Sequence, residues 1–394
     1  MNYYLRNVFY LLGCIMIVAC NSTVVELDND NHTHEADVQF YFNFGPLLEK
    51  PDTMIVLAVR NLNYLCYTYH LSTQGGLTSP ANGSLTFPTE LRQHIEGTKN
   101  DYVRLHSGSY KLLTFSGDNE YYTNNLSPMM NTNSQYLDQL NVTHVTYPNT
   151  KSHRSMYRDK DWISYNMYAD YILGGDEQPT FISKQTLNVG LEDRTKRVNF
   201  SMSDISQRVT FDFTITKDPE VVIDSVKAEI SGLAHRIYLM TEIVDVSRTF
   251  KTLFHPTITP ANNKGASSVL VSGKIFTHGL IRSADPTYTT GPGILWIKVY
   301  THTGENTEDK NTKVSRSVIA CVNLYNLLDI NPSLYINTKD EIRQTCKDLH
   351  LTIPSALLNI ENKTVTSNDQ TALDAWKTLD DEVDGQNGSV GADL

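Results

Sequence analysis

The residue with the clearest chemical role in this 394-residue sequence is Cys20, because of the segment that precedes it. Arg6 supplies one positive charge, and the twelve residues 8–19 contain no charged side chain. A transmembrane helix needs about 20 apolar residues, so this run is too short to span a bilayer stably. A positive charge, a short apolar core and a small residue before the cleavage point are typical of a secretory signal. The sequence therefore predicts cleavage between Ala19 and Cys20, which leaves the cysteine at the new N-terminus.

The four residues 17–20 (Ile-Val-Ala-Cys) resemble the lipid-attachment motif of bacterial lipoproteins. That resemblance implies that residues 1–19 are a signal peptide and that Cys20 carries diacylglycerol and a further, palmitate-type acyl chain. Each buried methylene contributes about 0.8 kcal/mol, and more than one chain makes anchoring persistent. The expected location is the outer membrane, with the protein body at the cell surface. The alternative is an ordinary secretory signal that ends beside a cysteine by coincidence.

No pattern in the sequence points to catalysis. The chain contains no Gly-x-Ser-x-Gly, His-Glu-x-x-His or phosphate-binding glycine motif, and its 12 histidines are scattered. Two carboxylates that meet only in the folded protein, as in glycoside hydrolases, stay open as an alternative. We therefore expect a protein that is not an enzyme and that needs no cofactor.

The acidic segment after Cys20 could supply metal ligands from Asp28, Asp30, His32, His34 and Glu35. It lacks the glycine and the distal glutamate of a calcium loop, so we predict no metal site there. Three further cysteines remain after removal of the signal: Cys66, Cys321 and Cys346. Cys66 and Cys321 lie in apolar, strand-like segments, where cysteine usually acts as a small apolar side chain. A disulfide between Cys321 and Cys346 stays open as an alternative.

Composition and charge indicate an exported globular body. Apolar residues make up 40% of the chain, and 394 residues allow two or three domains. The formal net charge is −11 and no basic stripe runs through the sequence, whereas phosphate binding needs clustered lysines and arginines. We therefore exclude nucleic acid as a partner. The 22 tyrosines suit exposed β-sheet faces, where the ring packs and the hydroxyl stays hydrated.

Alternation of apolar and polar residues predicts an all-β fold. In residues 38–44 one face would carry Val38, Phe40, Phe42 and Phe44, and in residues 207–216 one face would carry Val209, Phe211, Phe213 and Ile215. Two strands are predicted in 102–115 around a turn at Ser107 and Gly108, and another strand, 221–231, is predicted to end at Gly232. Short strands with Gly, Pro and Asn between them favour β-sandwiches.

These patterns predict five segments. Residues 20–37 are expected to be a lipidated, flexible tether, 38–185 an N-terminal β-sandwich, 186–379 a C-terminal β-sandwich and 380–394 an acidic, disordered tail, after the signal at 1–19. The stretch 118–162 is longer than most loops, which marks it as functional or as carrying small helices. Its tyrosines could stack on sugars and make the protein a surface glycan-binding lipoprotein, whereas the plainer explanation is packing within the loop; they are Tyr121, Tyr122, Tyr136, Tyr147 and Tyr157.

Several short phrases resemble the fimbrillin-like lipoproteins of type V fimbriae from Bacteroidetes-type bacteria. They are residues 105–113 (Leu-His-Ser-Gly-Ser-Tyr-Lys-Leu-Leu), 176–181 (Asp-Glu-Gln-Pro-Thr-Phe), 198–202 (Val-Asn-Phe-Ser-Met) with 207–211 (Gln-Arg-Val-Thr-Phe), and 230–233 (Ile-Ser-Gly-Leu). The phrases are similar to a Gly-x-Tyr strand of the first domain, a strand that crosses into the second domain, and a Ser-Gly-Leu turn. The resemblance covers about residues 38–324.

The resemblance implies two tandem transthyretin-like β-sandwiches and a structural role in pilus assembly and adhesion. In that family a stalk pilin loses its first strand by cleavage after a basic residue, and a neighbouring subunit's strand fills the gap. Anchor subunits keep their lipid and stop polymer growth. The implied partners are other fimbrial subunits, bound by strand addition, with glycans or host proteins as further candidates.

This chain departs from the stalk pattern near its N-terminus. Residues 21–37 contain no lysine or arginine, and the first basic residues after Cys20 are Lys50 and Arg60. An Arg- or Lys-directed protease therefore has no site ahead of the first predicted strand. The departure favours a subunit that stays lipidated, such as an anchor or an accessory or tip subunit.

The lipid prediction can be tested with a serine in place of the modified thiol. Cys20→Ser should move the protein from the outer-membrane fraction to the soluble fraction, because serine cannot form the thioether. Membrane fractionation followed by immunoblotting measures this. Cys14→Ser, which lies within the predicted signal, is the matched control and should leave the protein in the membrane. Retention of Cys20→Ser in the membrane would remove the lipoprotein argument.

Overall fold

The computed structural model describes residues 34–45, 51, 53–61, 66–72, 81–85, 103–116, 122–126, 134–146, 171–173, 179–303, 314–367 and 376–379. The predicted signal peptide, Cys20, most of the tether and the predicted tail at 380–394 lie outside these residues. The described part is all-β, as predicted. It has 25 strands, a 3-10 helix at Ser134–Gln139 and an α-helix, α1, at Tyr325–Ile330. None of the described helices is long and apolar enough to cross a bilayer.

Strands of the first half form two sheets, A and B. Sheet A has the order β11–β1–β5, and sheet B has the order β12–β10–β6–β2–β3–β4. The strands are β1 (Glu35–Asn43), β2 (Thr53–Arg60), β3 (Cys66–Ser72), β4 (Ala81–Leu85), β5 (Val103–His106), β6 (Gly108–Phe115), β10 (Phe181–Val189), β11 (Thr195–Ser201) and β12 (Ser203–Asp204). The predicted strands around Ser107 and Gly108 are β5 and β6, and they belong to different sheets. Gly108 has φ +154°, which lets the chain turn from sheet A into sheet B.

One apolar core lies between sheets A and B. The predicted face of the first strand is confirmed, since Val38, Phe40, Phe42 and Phe44 are all at most 3% exposed. They pack with side chains from sheet B and from the neighbours of β1: Met54, Val56, Ala58, Tyr110, Leu112, Phe181, Leu187, Val198 and Phe200. β1 begins at Glu35, so the predicted tether of residues 20–37 is too long by three residues at its C-terminal end.

Strands of the second half form sheets C and D. Sheet C has the order β25–β19–β18–β14–β15–β9, and sheet D runs β16–β17–β13–β23–β24, with β22 also paired to β13. The strands are β9 (Tyr171–Leu173), β13 (Gln207–Thr216), β14 (Val221–Tyr238), β15 (Val244–Phe254), β16 (Thr257–Thr259), β17 (Ser268–Thr277), β18 (Ile294–Thr303), β19 (Val314–Asn323), β22 (Asp348–Thr352), β23 (Ala356–Asn359), β24 (Thr364–Ser367) and β25 (Lys377–Leu379). A second core fills the space between them, and it includes the predicted face Val209, Phe211, Phe213 and Ile215.

The strand predicted to end at Gly232 does not end there. β14 runs for 18 residues through this glycine, with a register shift against β15 at Gly232, between Ser231 and Leu233, and another between Ala234 and Arg236. Gly232 has φ +91°, and an added Cβ would lie 2.6 Å from Gly293 N and 2.8 Å from the carbonyl oxygen of Ile281. Ile281 N also donates to Gly232 O at 2.8 Å. The glycine therefore forms a bulge that lets two neighbouring segments approach the strand closely, and sequence alone could not distinguish this bulge from a turn.

The division of the chain also differs from the prediction. A boundary between residues 185 and 186 would cut β10, which pairs with β6 along eight residues, and would separate β11 from β1. Sheets A and B instead extend to Asp204, and β13 of sheet D begins at Gln207. Conversely, β8 (Asn141–His144) and β9 pair with β14 and β15 of sheet C, and β7 (Tyr122–Asn124) pairs with β8. Long-range pairing, which no local pattern reports, sets this boundary.

A third apolar cluster joins the two sandwiches. The face of sheet B that points away from sheet A contributes Ile55, Leu57, Leu113, Phe115 and Ile182, and the end of sheet C contributes Ala234, Ile237, Leu239, Val244 and Val246. The hairpin of β20 (Leu334–Ile336) and β21 (Ile342–Gln344) covers one side of this cluster. Gln344 Nε2 donates to the carbonyl oxygens of Ile205 and His278, at 2.9 Å each, across the crossing segment. Apolar contact and these hydrogen bonds therefore hold the two sandwiches together.

A pair of glycine variants separates two costs of replacing Gly232: the unfavourable backbone conformation and the steric clash of an added Cβ. Gly265 also has a positive φ of +77°, but nothing lies within 4 Å of an added Cβ there. Gly265→Ala should lower the free energy of unfolding by about 1 kcal/mol, from the backbone conformation alone. Gly232→Ala should lower it by at least about 3 kcal/mol, because a backbone clash is added. Denaturant unfolding measures both, and equal effects would contradict the close approach at Gly232.

Candidate functional site

The first candidate site is the slot between β5 and β11 that β1 occupies as the central strand of sheet A. β1 pairs in parallel with β11 over seven residues, from Asp37 opposite Thr195 to Asn43 opposite Ser201. On its other side it pairs antiparallel with β5 over four residues, from Glu35 opposite His106 to Val38 opposite Val103. Removal of β1 would therefore break two ladders of main-chain hydrogen bonds and leave an empty slot between β5 and β11.

Aromatic side chains fill this slot from the inner face of β1. The ring of Phe42 stacks on Phe200 of β11, with centroids 5.6 Å apart and planes 10° apart. Phe40 contacts the same ring at 5.6 Å, and Phe44 meets Phe181 of sheet B edge-on at 5.0 Å. Aromatic pairs at these distances add about 0.5–1.5 kcal/mol each beyond their buried area. The sequence positions β1 through this row of phenylalanines, since alternate residues of a strand share one face.

The outer face of β1 is polar and pairs with both neighbours. Arg104 Nε lies 3.3 Å from Asp37 Oδ1, and His106 Nδ1 lies 3.5 Å from Glu35 Oε1, both across the β5 ladder. On the β11 side the guanidinium of Arg197 lies 4.5 Å from the centre of the Tyr41 ring. These partly exposed pairs contribute little individually. They fix the register of β1, because a shift by one residue would turn its phenylalanines toward water.

The basic residues that could be cleaved do not lie ahead of β1. Lys50 lies outside the described residues. Arg60 ends β2, and its Nη2 donates to the carbonyl oxygen of Ser107 at 2.7 Å. Cleavage after Arg60 would remove both β1 and β2, and β2 is an inner strand of sheet B between β6 and β3. Cleavage after Arg60 therefore cannot remove β1 without also removing an inner strand of sheet B.

A second group of polar residues lies on the outer face of sheet D. His350 Nδ1 is 3.1 Å from the hydroxyl of Thr210, and its Nε2 is 2.9 Å from Asp212 Oδ1. A hydroxyl, an imidazole and a carboxylate in this order can activate a nucleophile when water is excluded. Here the His350 side chain is 60% exposed on a sheet face. Thr210 and His350 are direct cross-strand partners, so the group is a surface ladder between β13 and β22.

A third group is buried where the sandwiches meet. The rings of His144 and His278 lie 4.6 Å apart, and Tyr122 lies 4.8 Å from His144. Both nitrogens of His144 and of His278 lack a hydrogen-bond partner among the described residues. Burial, together with a smaller effect of the nearby His235, lowers the pKa of His144 to about 3. Burial likewise lowers the pKa of His278 well below its usual value, so both rings are neutral at pH 7. No group of three or more metal-ligating side chains occurs in the described ranges.

The remaining predicted residues are placed as follows. Cys321 is buried and Cys346 is exposed, and both are free thiols, so the Cys321–Cys346 disulfide considered above is absent. Burial raises the pKa of Cys321 to about 12, which makes it an inert apolar side chain.

Tyr122 is 1% exposed and cannot stack on a sugar. Tyr136 lies on the 3-10 helix, while Tyr121, Tyr147, Tyr157 and Cys20 lie outside the described residues. His144 and His278 were missed because they meet only in the fold.

Comparison with known proteins gives matches among solved structures only. No protein-family profile and no curated protein sequence matches the chain. A candidate adhesin from Bacteroides thetaiotaomicron matches with 11% identity and a TM-score of 0.38, covering 84% of this chain and 93% of that one. The fimbrial anchor protein Mfa2 from Porphyromonas gingivalis matches with 11% identity and a TM-score of 0.34, covering 84% and 94%. A candidate polysaccharide-binding protein from Bacteroides thetaiotaomicron matches with 9% identity and a TM-score of 0.33, covering 88% and 99%.

These matches include an adhesin-type protein and a fimbrial anchor, which is the class of protein that the sequence resemblance named. A TM-score below 0.5 does not establish a common fold, so none of their properties is transferred to this chain.

The buried histidines predict acid sensitivity. The pKa of His144 is about 3 in the folded protein against 6.5 when unfolded, so the unfolded chain binds more protons between these values. The contribution of these neutral histidines to the free energy of unfolding is fully present above pH 6.5. It falls as the pH drops toward 3, by up to about 1.4 kcal/mol per pH unit for each such histidine. Denaturant unfolding at pH 7 and pH 4.5 measures the loss.

The variant His144→Phe should make this pH dependence shallower, since phenylalanine binds no proton. The buried, non-titrating Leu140 provides the control, and Leu140→Ala should lower stability at both pH values but leave its pH dependence as in the native protein. An unchanged slope in His144→Phe would contradict the assignment of acid sensitivity to the buried pair.

Proposed function

We propose that this chain is an outer-membrane lipoprotein that acts as a structural fimbrial subunit, held by lipid on Cys20, in the role of an anchor or an accessory subunit. The observation that carries the proposal is β1. It is fully seated as the central strand of sheet A, and the chain before it has no lysine or arginine back to Cys20. A pilin that polymerises by strand addition must lose its first strand so that a partner's strand can take its place. A subunit at the end of a fibre can keep its own first strand.

The energetics of β1 favour a strand that stays in place. Its inner face buries Val38, Phe40 and Phe42, and each such side chain contributes roughly 1.5–3 kcal/mol before ordering costs. Its two ladders satisfy main-chain groups on both sides. Loss of the strand would expose an apolar slot and two unpaired strand edges, which is tolerated only when another strand fills it. An intact β1 therefore blocks strand insertion at this position and would end a fibre.

With the slot filled, a partner strand has to use a sheet edge instead. Among the described strands β11 pairs only with β1, so its other side forms the edge of sheet A. Successive residues of β11 alternate between exposed outward side chains and inward side chains that are buried or partly buried, so a strand added at this edge would extend the same two-faced sheet. Fimbrial subunits are the partners we propose for such strand addition. No catalytic role is part of the proposal, since the Thr210–His350–Asp212 group is open to water.

The glycan-binding alternative receives no support from the described residues. Of the five tyrosines considered for it, Tyr122 packs between the sandwiches against His144. On the outer face of sheet A, the ring of Tyr41 is covered by the guanidinium of Arg197. The structural subunit is therefore the function we put forward.

The decisive measurement is the N-terminus of the native protein. Intact mass and N-terminal analysis of protein purified from membranes should show one chain that begins at an acylated Cys20. The reason is that no basic residue lies between Cys20 and β1 and that Arg60 lies within paired structure. An N-terminus at Asn61 would mean a processed, polymerising pilin and would overturn the anchor assignment.

A gene deletion tests the same proposal in the cell. Loss of an anchor should release fimbriae into the medium, and re-expression of the native chain should restore them to the cell. The variant Asn31→Arg, which places a basic residue in the tether, is a useful companion, because cleavage there would separate the lipid from β1. Cells that retain their fimbriae without the protein would rule out the anchor role.

A further inference from the structure

The chain enters the first sandwich at one defined end, which we call the entry pole: His34, Ser107, and the β10–β11 turn at residues 190–194. Ser107 N donates to His34 O at 2.8 Å, and Asp37 N donates to Arg194 O at 2.9 Å. The segment that leads back to Cys20 therefore leaves the body beside the β10–β11 turn. Only 14 residues, 21–34, separate the body from Cys20. A flexible chain of this length spans about 20 Å, so the entry pole is held close to whatever surface holds the lipid.

The β10–β11 turn has the shape and side chains of a surface-contacting tip. Asp193 Oδ2 accepts from Gly190 N at 2.6 Å, and Asp193 N donates back to Gly190 O at 3.3 Å, which closes the turn. Leu191 stands at its apex with 60% of its surface exposed, and among the large apolar residues of the described ranges only Ile330 at the end of α1 and Ile336 in β20 are more exposed. Because most of its surface is exposed, Leu191 contributes little to the packing of its own sandwich.

Three basic residues, Arg194, Lys196 and Arg197, follow this leucine within six positions, in a chain whose formal net charge is −11. Arg194 and Arg197 are exposed, and Lys196 lies at the start of β11 with its Nζ 2.9 Å from Asp193 Oδ2. Two carboxylates of the entry pole have basic partners: Asp193 pairs with Lys196 and Asp37 with Arg104. Arg60 also reaches the pole, since its Nη2 donates to the carbonyl oxygen of Ser107 at 2.7 Å. The described acidic residues of the pole are Glu35, Asp37, Glu192 and Asp193, and the described basic residues are Arg60, Arg104, Arg194, Lys196 and Arg197, so the basic residues exceed the acidic ones by one.

We propose that the β10–β11 turn is a membrane-contacting tip, in which Leu191 inserts among lipid headgroups while Arg194, Lys196 and Arg197 contact phosphates of the lipid surface that holds Cys20. The inference rests on the lipid anchoring in the proposed function. An exposed apolar residue flanked by Lys and Arg is the pattern of interfacial membrane contact. Each of these contacts is weak by itself. They form nevertheless, because the short tether keeps the local concentration of the tip at the membrane high.

Such a contact would fix the orientation of the whole protein. β1 and β11 run in parallel away from the entry pole over seven paired residues, which is about 23 Å of strand. The chain crosses into the second sandwich only after β11 and β12, between Asp204 and Gln207, at the far end of these strands. The second sandwich then points away from the membrane, where partner subunits can reach it.

Vesicle binding by the unlipidated mature chain tests the tip separately from the lipid. Residues 20–394 with Cys20→Ser should co-sediment with vesicles of one-third phosphatidylglycerol in phosphatidylcholine at low salt, and not with pure phosphatidylcholine. Leu191→Ser and the double variant Arg194→Ser with Lys196→Ser should each lower binding at least about fivefold, from the loss of interfacial contacts. Matched controls in the second sandwich are Leu357→Ser, an exposed leucine, and Lys339→Ser, an exposed lysine, and both should bind like the parent chain.

The outcomes distinguish this inference from the proposed function. Equal binding by the tip variants and the parent chain, or an equal loss in the control variants, would overturn the tip. In the native lipidated protein on the same vesicles, amide hydrogen exchange across residues 190–197 should be slower than in detergent, and unchanged exchange would also overturn it. A native N-terminus other than acylated Cys20, together with tip-dependent vesicle binding, would reject the anchor role while leaving the tip intact.

Discussion

The packing of β1 into the slot between β5 and β11 is the interaction on which the first sandwich depends. Sheet A has only three strands, and β1 is its middle one, so neither β5 nor β11 has another strand to join them within that sheet. The phenylalanines of β1 also form the centre of the core against sheet B. Because one strand supplies both the sheet and the core, its presence decides whether the first sandwich is closed or open to a partner.

Sheet B transmits this dependence to the rest of the molecule. One of its faces packs on β1 and sheet A, while the opposite face forms the cluster shared with the end of sheet C. Two neighbouring residues of β2, Val56 and Leu57, thus serve two different cores because alternate side chains of a strand point to opposite faces. Sheet B is therefore packed on both faces, and its face toward sheet C joins the two sandwiches by apolar contact, which favours a fixed relative orientation over a free linker.

Polar groups inside the second sandwich hold the loop between β16 and β17 and part of sheet C in place. Lys217 Nζ donates to the carbonyl oxygens of Val221, Asn263 and Ala266 at 2.6–2.9 Å, which satisfies a buried ammonium with main-chain acceptors. In sheet C, Lys251 Nζ lies 3.2 Å from Glu229 Oε1, with both side chains at most 2% exposed. Breaking such a pair costs more than the pair contributes, because one charge would stay buried alone. These groups fix local geometry, whereas the apolar cores supply the stability.

The sequence alone determined the all-β class, the inward face of β1 and the inward face of β13, because a period of two residues is local information. It also determined the absence of basic residues between Cys20 and β1, on which the anchor hypothesis depends. Only the tertiary structure decided that Gly232 is a bulge, that β11 pairs with β1, that Cys321 and Cys346 stay apart, and that His144 meets His278. The basic run Arg194-Thr-Lys-Arg197 was visible in the sequence, but its position beside the start of β1 was not. Each of these features depends on residues far apart in the chain, and their contact is set by sheet pairing and core packing, which no local pattern encodes.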